Sequence, residues 1–235
     1  MSSQLFTSKF IKKEKKGKNT YSFHFKKPNK FEFVAGQYLK MKLDINNSDS
    51  RGNSRYFTVS SSPTEKDLVI TTRIIKSSFK KKLMTLKTGD EAIISGPWGD
   101  IVFPKKRRPI IFLTGGIGIT PFRSLCIFAR DKNLDFKITL LVSFSTAEDS
   151  IFDKEFKKIE SDNFKYIKTI THPDKNWKGE KGRIDAQKIR KYVKNVDKSI
   201  FYVTGPLGLV EGILKLLKDN GIKKGHIISE DFPGY

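Results

Sequence analysis

Nine residues, RYFTVSSSP at positions 55–63, carry more hydrogen-bonding capacity than a strand requires. A strand normally places apolar side chains on one face and solvated polar ones on the other. Here Arg55 leads two aromatic residues, and hydroxyl side chains then follow up to a proline. A guanidinium can hold an anion, and small hydroxyls can donate hydrogen bonds to a polar ligand. The segment therefore predicts a ligand-binding strand, with a hydroxyl-rich edge strand as the alternative.

A glycine-rich turn, TGGIGITP at 114–121, lies between an apolar run typical of a buried strand and a predicted helix. Glycines let the backbone approach a ligand closely, and the amides that begin a helix favour a phosphate group. The spacing of Gly116 and Gly118 resembles a dinucleotide-binding fingerprint, although Pro121 stands in place of the third glycine. The turn predicts a pyrophosphate site; a tight strand-to-helix connection is the alternative.

A second turn of this kind, in YVTGPLGL at 202–209, places Gly205 and Pro206 between another predicted strand and helix. In open parallel sheets, ligands bind beyond the carboxyl ends of the strands, and both turns lie there. We therefore expect the two turns to line one cleft. Simple initiation of a helix by Pro206 is the alternative.

The elements that must position these motifs divide the chain into two parts. The first hundred residues contain short alternating runs separated by turn residues, which predicts an antiparallel barrel or sandwich with one short helix at 77–90. From about residue 109, apolar runs alternate with helical patterns, which predicts a parallel sheet with helices on both faces. The charged connector at 103–109 sets the predicted domains at 1–105 and 106–235.

Cysteine, histidine and apolar content exclude several classes of protein. The single cysteine, Cys126, allows neither a disulfide within the chain nor an iron–sulfur cluster of its own. The three histidines, at 24, 172 and 226, lack metal-ligand spacing, so we predict no metal site. No apolar run reaches the roughly 20 residues needed to span a bilayer, and the first residues lack the apolar core of a signal peptide. We expect a cytoplasmic protein without an integral membrane segment.

The chain is strongly basic, with 46 Lys and Arg against 25 Asp and Glu and a net charge of +21. This surplus is compatible with nucleic-acid binding, with a lysine-rich solvated surface or with docking of an acidic protein. The lysines are spread along the chain and outnumber the arginines, whereas readout of base edges favours arginine. Nucleic-acid binding is therefore the disfavoured interpretation.

Six motifs follow one another in an order that resembles a known family: GQYLKMKL, RYFTVSSSP, GDEAIISGPWGD, TGGIGITP, YVTGP and EDFPGY. Over nearly the whole chain they resemble the ferredoxin–NADP reductase superfamily, in particular its compact two-domain reductase modules. The resemblance implies a flavin-binding antiparallel β-barrel followed by a doubly wound parallel α/β domain for the nicotinamide nucleotide. It implies an enzyme that passes hydride from NADPH or NADH to bound FAD, with FMN less favoured, and then electrons to a separate acceptor.

The resemblance gives the segment RYFTVSSSP a role in binding the flavin. Arg55 would pair with the flavin phosphates, Phe57 would flank the isoalloxazine ring, and the Thr58 hydroxyl would lie near flavin N5. Ser61 would satisfy ribityl or backbone groups. The remaining predicted flavin contacts on these strands are Tyr56 and Thr72.

A second flavin contact is implied at the start of the short helix, in TTRIIKSSFKKKL at 71–83. Members of the family often have Ser or Thr three residues before the leucine that corresponds to Leu83, and this chain has Lys80 there. The hydroxyl role would then fall to Ser77 or Ser78. Lys80 would add a cationic contact to the phosphates, or lie on the surface.

On the nicotinamide side, the implied binding residues come from the two glycine turns and from the strand that follows the first. They are Thr114, Gly115, Gly116, Gly118, Thr120, Pro121, Ser143, Gly205 and Pro206. Thr204 stands where the family frequently has a cysteine close to the hydride-transfer site, so we expect it to be catalytic. Cys126 is interpreted as a small core residue.

The choice between NADPH and NADH is weakly encoded. An acid after the second strand favours NADH, whereas hydroxyl or basic groups suit the 2′-phosphate of NADPH. In LLVSFSTAED, Ser143 and Ser145 come first, and Glu148 and Asp149 follow. This order leans towards NADPH.

The C-terminal segment, ISEDFPGY, matches the acidic and aromatic end of the family. The resemblance implies that Glu230 helps to orient the nicotinamide and that either Phe232 or Tyr235 covers the flavin. A solvated terminus is the alternative. The predicted catalytic residues are thus Thr58, Thr204 and Glu230.

Two other functions remain open at this point. In an NAD(P)H-dependent flavin or quinone reductase, flavin would be a diffusible substrate or a quinone the acceptor. A basic nucleic-acid-binding protein on a reductase scaffold is suggested by the charge alone. The acceptor of the favoured reductase would be a ferredoxin-like or other redox protein, with an acidic partner suited to the positive surface.

Overall fold

The computed structural model describes residues 4–232, and the N-terminal part of the chain forms one antiparallel sheet. Its strands are β1 (Leu5–Gly17), β2 (Thr20–Lys26), β3 (Tyr38–Lys42), β4 (Ser54–Thr58), β5 (Asp67–Arg73) and β6 (Glu91–Trp98). They pair in the order β4-β3-β6-β1-β2-β5. An antiparallel bridge between Val59 and Ile70 joins the two outer strands, so the sheet closes into the predicted barrel.

The barrel core is built from the alternating apolar residues of its strands. Phe23 and Phe25 on β2 are fully buried, and burial of one such side chain contributes about 1.5–3 kcal/mol. Helix α1 (Ser78–Thr85) begins after Ser77, whose side chain accepts a hydrogen bond from the Lys80 amide. Phe79 of α1 packs into the same core.

The first strand was not predicted. β1 is 13 residues long and rich in lysine, yet Ser8 and Phe10 are buried while their neighbours are half-buried or exposed. It pairs with both β2 and β6, so it lies inside the sheet rather than at an edge. Its apolar face is too sparse to distinguish it by sequence from a solvated basic segment.

The second sheet is parallel throughout and has the order β10-β9-β8-β7-β11-β12. Its strands are β7 (Ile110–Gly115), β8 (Ile138–Phe144), β9 (Phe164–Ile170), β10 (Glu180–Lys181), β11 (Ile200–Gly205) and β12 (Ile227–Asp231). The helices are α2 (Thr120–Asp131), α3 (Asp153–Lys158), α4 (Ala186–Tyr192) and α5 (Leu207–Asp219). One core contains residues of α2 and α3, and a second core, across the sheet, contains residues of α4 and α5. This is the predicted doubly wound α/β domain.

The direction of winding changes at β7, which lies between β8 and β11 in the sheet. Both glycine turns follow strands at this switch point, at the carboxyl ends of β7 and β11. Ligands of open parallel sheets bind in the crevice at such a point. The predicted boundary at residue 105 falls between β6 and β7 and stays a prediction.

Two features of residues 4–232 bear on function. No helix of residues 4–232 is long and apolar enough to cross a membrane. The same residues hold no group of three or more His, Cys, Asp or Glu side chains placed to bind a metal ion. Cys126 lies buried in α2, and burial raises the pKa of its thiol.

Candidate active site

A cleft of about 1000 Å³ opens between the barrel and the parallel sheet. That volume suits a large ligand, since small-molecule sites span about 300–1,000 Å³. The barrel contributes β3, β4 and α1, and the parallel domain contributes the first glycine turn and β12. The predicted site residues that line the cleft are Arg55, Tyr56, Phe57, Thr58, Lys80, Thr120, Glu230 and Phe232. Tyr235 lies outside the described residues.

The hydroxyls of the segment RYFTVSSSP serve two different purposes. Ser60 Oγ donates to the carbonyl oxygen of Val69 and shares a hydrogen bond with Thr71. Ser61 Oγ accepts from the Val69 amide at 2.9 Å, and Ser62 Oγ accepts from the Thr64 amide. Within residues 4–232 the Thr58 hydroxyl has no hydrogen-bond partner, and Thr58 lines the cleft. Of these hydroxyls, that of Thr58 is thus the one available to a ligand.

Neighbouring aromatic residues of β4 point in different directions. We expected Phe57 to flank the flavin ring. It is 4% exposed, and the centre of its ring lies 5.6 Å from that of Phe79 in the barrel core. Phe57 also borders the cleft. Tyr56 is 61% exposed. Its ring lies 5.8 Å from that of Tyr38 and 6.1 Å from that of Trp98. The aromatic wall offered to the cleft is therefore formed by Tyr38, Tyr56 and Trp98.

One end of the cleft is cationic, because Arg51, Arg55 and Lys80 all line it. Arg55 Nη1 donates to three loop carbonyl oxygens, those of residues 51, 52 and 54, at 2.7–2.9 Å. Its Nη2 donates to Asp49 Oδ1 at 2.9 Å. Its Nε is buried without a partner among the described residues. Such an orphaned donor in a cationic cleft fits an anionic group of the flavin.

Lys80 lies deeper in this end of the cleft and is 6% exposed. Its Nζ donates to Thr72 Oγ1 and lies 5.0 Å from the centre of the Phe57 ring. Burial, together with the positive charges of Arg55 and Arg51, lowers the pKa of Lys80 to about 7. Thr72, a predicted flavin contact, is fully buried and serves as the acceptor for this lysine.

The two serines at the start of α1 already have partners. Ser77 caps the helix through its side chain, which accepts from the Lys80 amide at 3.5 Å. The Ser78 amide donates to Asp49 Oδ2 at 3.0 Å, and Ser78 Oγ accepts from the Asp49 amide at 2.9 Å. Neither serine lines the cleft.

The surroundings and the backbone conformation differ among the three glycines of the first turn. A Cβ on Gly115 would lie 2.3 Å from a side-chain atom of Leu209. A Cβ on Gly118 would lie 2.7 Å from Gly205 Cα, so the two glycine turns touch. Gly116 has φ +55°, and within 4 Å its Cβ would meet only the guanidinium of Arg73, at 3.8 Å. Gly116 is thus the position where a ligand can approach the backbone.

Thr204 is fully buried and does not line the cleft. Its hydroxyl donates to the carbonyl oxygen of Gly118 at 2.7 Å, and its own carbonyl accepts from Thr114 Oγ1 at 2.8 Å. These bonds tie the end of β11 to the first glycine turn. This position favours a role in holding that turn over the catalytic contact that we expected.

The other predicted nicotinamide residues surround the same junction. Thr120 lines the cleft, and its hydroxyl donates to the carbonyl oxygen of Ile117. Pro121 is buried in the first turn of α2, and Pro206 precedes α5 as its N-cap. Gly205 adopts φ +147°, and Ser143 is buried at the end of β8. Of these residues Thr120 lines the cleft, whereas the others lie behind it, in the two turns or at the end of β8.

Glu230 on β12 faces the barrel across the cleft. Its Oε2 lies 3.5 Å from the position of a Cβ on Gly99, beside the ring of Tyr38. Burial and the nearby charges of Asp100 and Asp231 raise the pKa of Glu230 to about 7. This carboxyl can therefore hold or release a proton near neutral pH.

A contact between the domains, which sequence reasoning missed, lies behind the cleft. The guanidinium of Arg123 on α2 donates to the carbonyl oxygen of Ser60, to both oxygens of Glu65 and to Glu155 Oε2. Ser124 Oγ donates to the carbonyl oxygen of residue 61 at 2.7 Å. The chain that leaves β4 is thereby fixed to the helix that follows the first glycine turn.

Two family models match consecutive parts of the chain. The model described as "Oxidoreductase FAD-binding domain" matches residues 7–103, which contain the barrel and its cationic cleft wall. The model described as "Oxidoreductase NAD-binding domain" matches residues 112–215, which contain both glycine turns. Together they cover most of the chain.

The curated relatives of this chain are longer proteins, each with a segment similar to it. The F component of the Na(+)-translocating NADH-quinone reductase of Yersinia enterocolitica is 30% identical over 161 residues, which is 65% of this chain and 39% of the relative. Flavohemoprotein A of Dictyostelium discoideum is 26% identical over 246 residues, which is 96% of this chain and 60% of the relative. The chain thus spans less than two thirds of the length of these relatives.

A solved structure shows the same fold. The ferredoxin NADP+ reductase of Neisseria gonorrhoeae, with bound FAD and NADP, superimposes with a TM-score of 0.84 over 98% of this chain and 99% of its own, at 18% identity. The fold, the cleft and the two family models agree with the resemblance that the motifs indicated. The chain belongs to the ferredoxin–NADP reductase superfamily and consists of an oxidoreductase FAD-binding domain followed by an oxidoreductase NAD-binding domain.

Proposed function

We propose that this protein is a reductase that takes electrons from NAD(P)H and delivers them, through FAD, to a separate redox protein. The observation that carries the proposal is the shared cleft, into which Thr58 opens from the barrel and Glu230 from the parallel domain. When bound, FAD accepts hydride from the nicotinamide and releases electrons to an acceptor. These 235 residues hold one cysteine, too few to ligate an iron–sulfur cluster, and this supports an acceptor that lies outside the two domains.

Different residues of the cleft bind the FAD and orient the nicotinamide. The cationic end, with Arg55 and Lys80, holds the phosphates, and the exposed Tyr56 provides an aromatic surface for the flavin ring. The Thr58 hydroxyl donates to the reactive edge of that ring. Glu230 orients the nicotinamide, and Phe232 borders the same space.

A buried hydroxyl and an open stretch of backbone in the first glycine turn act through position. Thr204 holds the first glycine turn in place through its bond to the Gly118 carbonyl oxygen. The open backbone at Gly116 receives the phosphates of NAD(P)H. Such orientation of two reactants can contribute about 7–11 kcal/mol to lowering a barrier.

The charge of the chain supports an acidic protein as the acceptor. A net charge of +21 attracts such a partner over distances of about one Debye length and speeds its encounter. Lys40, whose Nζ lies 5.7 Å from the centre of the exposed Tyr56 ring, places a cation at the cleft wall. We infer that the partner docks on this side.

The first experiment is a visible absorption spectrum of the purified protein, followed by anaerobic additions of NADH and NADPH in parallel. We expect a flavin spectrum that bleaches, and the faster nucleotide identifies the donor. The reduced protein is then mixed with ferredoxin and with flavodoxin at increasing salt. Electron transfer that slows with salt supports the acidic partner, and transfer that is insensitive to salt rejects it.

A quinone is the second candidate acceptor. It is favoured by the 30% identity to the F component of an NADH-quinone reductase. Turnover with a water-soluble quinone that exceeds turnover with either redox protein would support it. A free flavin as the substrate is tested by gel filtration, because a diffusible flavin separates from the protein whereas a bound one does not.

A further inference from the structure

A second cavity, of about 240 Å³, lies at the amino ends of the parallel strands. Its lining includes the starts of β7, β8 and β9 and the segment that follows α4. Both glycine turns lie at the opposite, carboxyl ends of the strands. Because β7 is six residues long, about 15–20 Å of strand separates this cavity from the first glycine turn. A ligand in this cavity is therefore distinct from the flavin and the nicotinamide nucleotide.

Two polar residues interrupt the strands where they border the cavity. Thr139 is the one residue of β8 that is not buried, although β8 lies inside the sheet between β7 and β9. Lys165 on β9 pairs in register with Thr139, so the two side chains are neighbours on one face. Within residues 4–232 the Thr139 hydroxyl has no hydrogen-bond partner. Since strands of parallel sheets normally carry apolar residues on both faces, this pair favours contact with a polar ligand over packing.

This face of the sheet is open because α4 is short. The helix has seven residues and ends at Tyr192. Ile111, the other neighbour of Thr139 in the sheet, shares a core with Val193, directly after the helix. Thr139 and Lys165 lie one and two strands further along and are half-buried and exposed, respectively. The cavity is thus the space that the end of α4 leaves uncovered.

Three lysines line the cavity, and each comes from a different segment. Lys137 precedes β8, Lys165 lies on β9, and Lys194 follows α4. Among the described residues, none of the three forms an ion pair. Asp162 is the one carboxylate of the lining. The cavity therefore has a net positive charge, and the ammonium group of lysine is a common partner of phosphate.

The remaining lining is partly apolar, with Ile111, Ile138 and Val193 beside the lysines. The volume lies just below the range of about 300–1,000 Å³ that is usual for small-molecule sites. We propose that this cavity binds a small phosphate monoester, whose phosphate contacts Lys165 and the Thr139 hydroxyl and whose carbon atoms contact the apolar side chains. The same group occurs in free phosphorylated metabolites and in the headgroup of phosphatidic acid.

The test is calorimetric titration of the full chain, saturated with FAD so that the cationic end of the cleft is occupied. With glycerol 3-phosphate we expect a dissociation constant below about 1 mM, and about 4-fold weaker binding of inorganic phosphate, which lacks the carbon atoms. Lys165→Met should weaken the binding of glycerol 3-phosphate by about 10-fold or more, and Thr139→Val by about 2- to 12-fold. Lys154→Met, at an exposed position of α3, removes the same charge and should leave the constant unchanged.

Three results would overturn the proposal. The first is no binding of glycerol 3-phosphate up to about 10 mM. The second is equal weakening in Lys165→Met and Lys154→Met, which would assign the binding to the general surface charge. The third is competition between glycerol 3-phosphate and NADH in flavin reduction, which would place the phosphate in the cleft between the domains.

Sedimentation with phosphatidylcholine vesicles, with and without phosphatidic acid, distinguishes the two sources of the phosphate. Binding that requires phosphatidic acid and is lost in Lys165→Met would assign the site to the lipid. Binding of glycerol 3-phosphate without binding to these vesicles would assign it to a free metabolite. If Lys165→Met lowered stability and neither ligand bound the wild type, the lysines would serve the carbonyl end of α4, where cations are favourable, and the proposal would be rejected.

Discussion

Arg123 Nη1 lies 2.8 Å from the carbonyl oxygen of Ser60, and this bond joins the helix after the first glycine turn to the chain that leaves β4. Thr58 precedes Ser60 by two residues and opens into the cleft. The same guanidinium pairs with Glu65 and Glu155, and its side chain is 12% exposed. The position of β4 relative to the first glycine turn is therefore fixed in part by this partly buried cation, together with the bond from Ser124 to residue 61.

Replacement of Arg123 by methionine should lower both stability and the rate of flavin reduction. The change removes the arginine that pairs with Glu65 and Glu155, of which Glu155 keeps Lys16 at 3.6 Å, and we expect a loss of about 2–3 kcal/mol in the free energy of unfolding. Urea denaturation measures this loss, and stopped-flow bleaching by NADH or NADPH measures the rate. Arg130→Met on the same helix is the control, since Arg130 is half exposed and its change should stay within about 0.5 kcal/mol. Equal effects of the two variants would contradict the assigned role.

Thr58→Val should slow flavin reduction and leave stability unchanged, whereas Ser60→Ala should lower stability and leave the rate unchanged. The Thr58 hydroxyl has no partner within residues 4–232, so its loss should leave stability within about 0.5 kcal/mol and slow flavin reduction about 2- to 12-fold, as for one hydrogen bond. Ser60 is buried and bonded within the barrel, so Ser60→Ala should cost about 1–2 kcal/mol of stability at an unchanged rate. Thermal unfolding and stopped-flow absorbance separate the two effects. If Ser60→Ala slowed flavin reduction and Thr58→Val did not, the hydroxyl that contacts the flavin would be that of Ser60.

Motifs that act locally were predictable from the sequence, and contacts across the domains were not. The glycine turns and the α/β alternation are encoded by neighbouring residues, so the fold of the second domain followed from its pattern. The bond of Arg123 to Ser60 joins residues 63 positions apart, and no local signal marks it. Which side of β4 faces the cleft was equally hidden, because Tyr56 and Phe57 are both aromatic and adjacent. In the structure Phe57 packs into the barrel core, and Tyr56 is exposed.

Alanine substitutions at two glycines of the first turn should separate packing from ligand approach. Gly118→Ala would bring a Cβ to 2.7 Å from Gly205 Cα and should cost about 1–3 kcal/mol. Gly116→Ala should cost about 1–2 kcal/mol through its left-handed backbone, and in addition raise the KM for NAD(P)H, because the new methyl group occupies the open approach. Gly208→Ala, in a helix with open space around it, is the control and should stabilise by about 0.5–1 kcal/mol. An unchanged KM in Gly116→Ala would place the phosphates elsewhere.

Glu230→Gln should stabilise the protein at pH 8 and leave its stability unchanged at pH 4. Burial and the charges of Asp100 and Asp231 raise the pKa of Glu230 from 4.5 to about 7. Between these values the folded protein binds more protons than the unfolded chain, so the carboxyl lowers stability as the pH rises, and its full cost is present above pH 7. After allowance for solvent screening, this cost is about 1 kcal/mol.

Thermal unfolding of the wild type and of Glu230→Gln, at intervals from pH 4 to pH 8, measures the difference. The two melting temperatures should diverge as the pH passes from 4.5 to 7 and stay apart above it. We expect flavin reduction by NAD(P)H to depend on pH near 7 in the wild type and to lose this dependence in the variant, since glutamine cannot ionise. A variant that is destabilised at pH 8 would mean that the ionised carboxylate has a partner that stabilises it, and would reject the electrostatic account of this residue.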